Sequence, residues 1–206
     1  MQRLFYSIAF CLLVLPDMLI AQDSVTYYGN GEIRSSGAVK EGRREGEWHY
    51  FYPSGVRNSI EHYQKGVLHG PVTYFYPSGT LQGRERWESG VITDTAWYYY
   101  ENGNLEKKGL YKAGRYEGTW RFYHDNGRLQ RDITYVNGLP EGPTAVYSET
   151  GILLQKGHYR NGKEDGTWQF FNNDGRLEFT GQYEAGAPTG VWYQYVRGKK
   201  KVYKRY

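Results

Sequence analysis

Few residues in this chain are of types that do chemistry, and their spacing argues against most of it. The five histidines, His49, His62, His69, His124 and His158, fall at different strand positions and share no metal-ligand spacing. Ser54 and Ser78 each sit between a proline and a glycine, which is turn composition rather than the setting of a nucleophile. Asn172-Asn173-Asp174-Gly175 hints at a calcium loop, but Phe170 takes the first ligand place and no acid closes the site. No phosphate-cradling glycine loop leads into a helix. Neither catalysis nor a cofactor nor a metal is expected. Two groups that could bind something remain. One is a set of rings: Trp48, Tyr50, Tyr74, Tyr98, Trp120, Phe122, Trp168, Phe170 and Trp192. The other is a basic C-terminus, Arg197, Lys199, Lys200, Lys201, Lys204 and Arg205, with no acid from 197 to 206.

What must position these groups is a repeat. One glycine series runs Gly31, Gly55, Gly79, Gly103, Gly127, Gly151, Gly175, in steps of 24. A second runs Gly42, Gly66, Gly90, Gly114, Gly138, Gly162, Gly186, and a third Gly46, Gly70, Gly118, Gly142, Gly166, Gly190, with Asp94 in the gap. Gly37, Gly109, Gly157 and Gly181 form a partial fourth, so the four series hold 24 of the 27 glycines. Such a metre marks a repeat architecture. Before the first-series glycines stand Pro53-Ser54, Pro77-Ser78, Asp125-Asn126 and their like, the signature of a type I turn followed by a left-handed glycine. That is a three-residue hairpin loop with a glycine bulge. Lys112-Ala113-Gly114 and Asn161-Gly162 read as the same loop in the second series. The expectation is all-β: a single-layer antiparallel meander of about seven 24-residue β-hairpin repeats. The units are about 25–48, 49–72, 73–96, 97–120, 121–144, 145–168 and 169–192, and a basic strand over 193–206 closes the chain. Closure into a barrel or a two-sheet sandwich is the alternative.

Strand parity assigns faces. An aromatic stands four residues before each loop glycine (Tyr27, Phe51, Phe75, Tyr99, Tyr123, Tyr147, Phe171), and in most units an aliphatic residue stands two after it. The loop makes them cross-strand partners on a structural face, and the same parity adds Tyr63, Trp87, Tyr111, Tyr135, Tyr159 and Tyr183. The other face carries the candidate rings, read as exposed among charges such as Glu106, Lys108, Gln130 and Asp132.

Residues 1–21 read as a cleaved signal peptide: Arg3, an apolar run from Leu4 to Leu15, then Pro16 and a small residue at Ala21. The run is too short for a spanning helix, which needs about 20 residues. Cleavage would leave residues 22–206 as one repeat domain, secreted or periplasmic, with no cysteine, since Cys11 is the only one.

The pattern G-x-W-x-x-[YF]-[YHNS]-x-x-G, then L, then Y-x-x-G-x-x-x-G, best seen over Gly118–Gly142 and Gly166–Gly190, resembles the MORN repeat in its bacterial variant form. Asp94, the displaced Trp97, Val72 and Thr144 depart from it. The resemblance implies an elongated sheet and a scaffold or membrane-associated role. It also carries the label of toxin–antitoxin antitoxin component, which a signal peptide contradicts. The first function expected is a secreted or periplasmic non-enzymatic scaffold for another protein or the cell envelope. The alternative is a ligand module: Trp97-Tyr98-Tyr99-Tyr100 and the repeated G-x-W-x-[YF] are similar to choline- and glucan-binding hairpins, where rings cage an amine or stack on sugar. Envelope glycan and anionic lipid are further possible partners, nucleic acid is not, and the chain is expected as a monomer or weak oligomer. For the basic tail, lysines guarding an open edge strand are favoured over lipid binding, because Val202, Tyr203 and Tyr206 continue the strand chemistry of the repeats.

Overall fold

The computed structural model describes residues 22–206. The signal peptide expected over 1–21 lies outside the described residues. Eighteen strands follow one another: β1 (Gln22–Tyr27), β2 (Ile33–Lys40), β3 (Arg43–Phe51), β4 (Arg57–Gln64), β5 (Val67–Leu68), β6 (Gly70–Phe75), β7 (Leu81–Glu88), β8 (Val91–Tyr99), β9 (Leu105–Lys112), β10 (Arg115–Tyr123), β11 (Leu129–Val136), β12 (Leu139–Tyr147), β13 (Leu153–Arg160), β14 (Lys163–Glu164), β15 (Gly166–Phe171), β16 (Leu177–Glu184), β17 (Ala187–Val196) and β18 (Lys199–Arg205). No helix occurs among the described residues. Every pairing is antiparallel and joins chain neighbours, except that β4 also pairs β6 past the short β5 and β13 pairs β15 past the short β14; β1 bonds β2 and β18 bonds β17, and neither bonds anything else among the described residues. The meander is therefore one open sheet, not a barrel or sandwich.

Three backbone devices recur in each unit. The first-series loops are as expected: Tyr52 N–H donates to the Val56 carbonyl at 2.8 Å and Gly55 N–H to the Tyr52 carbonyl at 2.9 Å, with Gly55 at φ 83°. The second-series turns are not. Lys40 pairs directly with Arg43, and both Glu41 (φ 52°) and Gly42 (φ 71°) are left-handed. This is a two-residue type I′ turn, whose twist matches that of the flanking strands. It recurs at Lys65-Gly66, Ser89-Gly90, Ala113-Gly114, Asn137-Gly138, Asn161-Gly162 and Ala185-Gly186, and once at the opposite edge, at Arg197-Gly198 between β17 and β18. The third device is a bulge at the third-series glycine. On β3, Glu45 opposes Ala38 and Trp48 opposes Gly37, leaving two extra residues between them. Asp94 adopts the same left-handed backbone (φ 64°), so the missing glycine does not break the register.

Both edges of the ribbon are stitched from unit to unit. Along the turn edge, the carbonyl two residues before each third-series position accepts the next turn's glycine N–H: Gly66 to Arg44, Gly114 to Ile92, Gly162 to Pro140, at 2.9 to 3.0 Å. Along the loop edge, the hydroxyls of Tyr28, Tyr52, Tyr76 and Tyr100 donate to carbonyls 23 residues on, and His124 Nε2 meets the Tyr147 carbonyl at 2.9 Å. Ser148 and Asn172, at the same position in later units, instead bond within their own loops.

Side-chain parity needs one correction. Phe75 pairs with Leu81 as expected, but Tyr74 pairs with Gly83, so Gln82 is an extra residue. That one-residue bulge after each loop moves the rest of the second strand to the opposite face. Tyr63, Tyr111, Tyr159 and Tyr183 therefore stand with the tryptophans, against Trp48, Trp120, Trp168 and Trp192 at ring-centre distances of 5.0 to 6.4 Å. Polar residues such as Lys108 and Asp132 share the other face with Arg121.

Candidate interaction surfaces

The bulge makes a slot, and the indole fills it. Trp48, Trp120, Trp168 and Trp192 are 4%, 0%, 0% and 7% exposed. Each lies on a glycine eleven residues earlier: a Cβ built on Gly37, Gly109, Gly157 or Gly181 would come within 2.1 to 2.4 Å of an indole carbon. The fourth glycine series thus exists to receive the tryptophans. Trp48, Trp120 and Trp192 donate their N–H to the carbonyls of Ala38, Leu110 and Gln182. Trp168 Nε1 has no partner among the described residues, and the equivalent His158 carbonyl accepts from Asp165 N–H at 2.9 Å instead. From the outer side Tyr116 stacks on Trp120 at 3.7 Å, and the Arg44 guanidinium lies 4.9 Å from the Trp48 ring. The expectation that these indoles stand exposed to stack on a ligand is therefore corrected: they are the core of a sheet that has no second layer. Trp97, one residue out of phase, is exposed, and Ala96 occupies its slot.

The remaining candidate rings, Tyr50, Tyr74, Tyr98, Phe122 and Phe170, are half-buried on the indole face. Where the slot holds Val72 or Ala96 instead of tryptophan, the platform residue is Glu61 or Glu85 instead of glycine. Its carboxylate gathers hydroxyls. Glu61 accepts from Ser59 Oγ at 2.9 Å and from Tyr63 at 2.5 Å, and Tyr63 lies 3.3 Å from the Tyr50 hydroxyl. Glu85 accepts from Tyr98 at 2.5 Å, Trp87 Nε1 at 2.9 Å and Tyr74 at 3.2 Å. Burial is the main force pushing the Tyr63, Tyr74 and Tyr98 hydroxyls well above the usual tyrosine range; the glutamates they serve add to it. Tyr111, bonded to Tyr98, is pushed up to about 12, again first by burial. Sequence reasoning missed this strip. The signal was the pairing of each non-tryptophan slot with a glutamate or Ile133 in place of the fourth-series glycine.

The basic residues Arg197, Lys199, Lys200, Lys201, Lys204 and Arg205 are all exposed, as expected of the last strand. The non-indole face carries a groove of about 590 Å³, lined by Asp132, Lys156, His158 and Gln169 together with Pro143, Ala145 and Tyr147. No group of three or more potential metal ligands converges among the described residues.

Residues 44–65, 68–90, 98–113, 116–137 and 140–161, together about half of the chain, match the MORN repeat variant family. The chain belongs to that family. The matches end at 161, although Gly166, Trp168 and Gly190 repeat the same backbone and slot geometry further on. No curated protein matches the chain. Among solved structures, it is similar to a GtfA/B complex bound to UDP and GlcNAc (11% identity, 72% of this chain and 26% of that one, TM-score 0.22). It is also similar to a Tc holotoxin pore of Photorhabdus luminescens (14%, 86% and 12%, TM-score 0.25) and to a porin-like protein from Bacteroides uniformis (12%, 89% and 87%, TM-score 0.22). The chain thus spans about a quarter of the first of these and about an eighth of the second.

Proposed function

We propose that this protein is an exported, non-enzymatic repeat scaffold that binds another protein across its indole face. The observation that carries the reading is the strip from Arg44 to Tyr111. There half-buried tyrosines, an arginine stacked on rings and two glutamates hydrogen-bonded by hydroxyls lie on a rigid single-layer sheet. Tyrosine and arginine on a preorganised surface are the chemistry of interface hot spots. Neither Glu61 nor Glu85 is within 4.0 Å of a cation among the described residues, which suits a partner presenting lysine or arginine. Choline or sugar caging loses its support with the burial of the indoles. Export rests on the leader at 1–21, and with it goes any cytoplasmic antitoxin role. The test is photocrosslinking in the native host, with the probe at position 50 or 98 on the indole face and at 108 or 121 on the other. Adducts with one protein from the first pair alone are expected. Adducts from both pairs equally, or from neither, would reject the reading.

A further inference from the structure

Both ends of an open sheet expose a row of backbone N–H and C=O groups without partners. At the C-terminal end further features coincide. All seven residues of β18 are exposed. Its cations straddle the edge. Lys204 opposes Trp192 and lies over Tyr206 at 4.3 Å, on the indole side. Lys200 opposes Tyr195 and lies over Tyr193 at 3.8 Å, on the other side. On the indole side Phe170, Phe179, Tyr183, Trp192, Tyr203 and Tyr206 wall a pocket of about 300 Å³. A cavity of about 150 Å³ already takes benzene, so this one has room for an indole or phenol. At the opposite end, β1 has the sequence QDSVTY, with Asp23 as its only charge.

We propose that the free edge of β18 takes an extended acidic segment of a partner protein as an added strand, with one aromatic or large apolar side chain of that segment seated in the pocket. The inference rests on the scaffold reading only in treating the sheet as an interaction module; the surface is a different one. Backbone pairing would supply affinity and alternate side chains specificity. Successive side chains of a strand point to opposite faces, so acids on both sides of the added strand meet cations on both sides of the edge. A flat anionic membrane touches one face and leaves either Lys200 or Lys204 turned away. A second copy docking through β1 offers one carboxylate against the five cations of β18. Lysines that repel another basic edge admit an acidic one, so the same residues both guard and select.

The experiment uses the full mature chain and a fluorescent peptide of about eight residues, the length of a strand, with glutamates in adjacent pairs, so that both faces carry acid, and one central phenylalanine. Anisotropy should show binding that is lost when alternate peptide amides are N-methylated. Binding should fall at least about tenfold for Lys200→Glu/Lys204→Glu and for Tyr203→Ala, with melting temperatures unchanged. Equal binding of the N-methylated peptide would reduce the site to bulk charge and overturn the proposal. So would capture of the chain by phosphatidylserine vesicles without peptide binding, or a dimer in light scattering that the peptide does not disrupt. If the peptide fails while face crosslinks persist, only this inference falls; if crosslinks fail and the peptide binds, the face reading falls instead.

Discussion

Units with tryptophan in the bulge slot and units without it share one backbone. Around Trp120 the slot is filled by an indole lying on bare glycine; around Ala96 it is filled by a methyl group and the carboxylate of Glu85 with its ring of hydroxyls. Turns, bulges and edge stitching are the same in both. The backbone grammar therefore sets the fold, and the slot decides what the face presents: a sealed aromatic in one case, a polar strip in the other. A third solution, Ile133 beneath Thr144, fills the slot with an aliphatic, and Thr144 donates to the Asp132 carbonyl at 2.8 Å.

The comparison breaks hardest at the glycine platforms. Gly109→Ala puts a Cβ 2.2 Å from Trp120 and should expel the indole. The expected loss is about 3–5 kcal/mol by urea unfolding, the scale of removing a buried tryptophan. The pair Gly109→Ile/Trp120→Thr, which rebuilds the 133/144 solution, should recover much of that loss. If the double variant is no better than Gly109→Ala, the slots are not interchangeable.

The polar slot should break more mildly. Glu85→Ala removes the acceptor for Tyr74, Trp87 and Tyr98 and should cost about 1–3 kcal/mol, because half-buried donors are left without it. The same groups set an alkaline limit. Tyr111 is held up to about 12 against an ordinary 10.0, and Tyr63 and Tyr98 are raised as well. A raised folded pKa contributes stability in full below the unfolded value and loses it as pH climbs through the folded one. Thermal stability should therefore hold up to pH 10.0 and decline from there toward about 12. In Glu85→Ala the decline should be shallower. An unchanged alkaline profile would mean the hydroxyls do not act as a group.

Smaller effects separate the edges. Tyr100→Phe deletes one loop-edge bond to the Tyr123 carbonyl and should cost about 1 kcal/mol. Lys65→Asn relieves a left-handed lysine in a type I′ turn and should gain a few tenths of a kcal/mol up to about 1. In a Trp87→Phe/Trp97→Phe background, millimolar choline should leave tryptophan fluorescence unchanged, since the four remaining indoles are buried; a saturable quench would reopen the caging alternative.

Much of the fold was legible because glycine is punctuation: the 24-residue step, the three-residue loops and the Phe75–Leu81 type of cross-strand pair all follow from turn chemistry. Two things were not read. Asn137-Gly138 and Asn161-Gly162 are type I′ signatures, yet position in the metre made them look like the other loops. The bulge after each loop has no residue signature, and one unpaired residue suffices to turn a strand over. That single slip put the tyrosines on the wrong face and left the tryptophans looking exposed. The eleven-residue spacing from Gly37, Gly109, Gly157 and Gly181 to the tryptophans was visible and would have corrected it. The glutamate strip needed three dimensions, because Tyr98, Glu85 and Tyr74 come from different strands.

The loop-edge clasp runs only from Tyr28 to His124, while the turn-edge bonds continue to the end, from Gly186 to Glu164 and Tyr206 to Gly190. A linear array held at one margin and released at the other does not melt evenly. Beyond Ser148 the hairpins can splay like the leaves of a fan, hinged on their type I′ turns. Hydrogen exchange should accordingly be fastest in the loops at 151 and 175, with protection rising toward the N-terminal units.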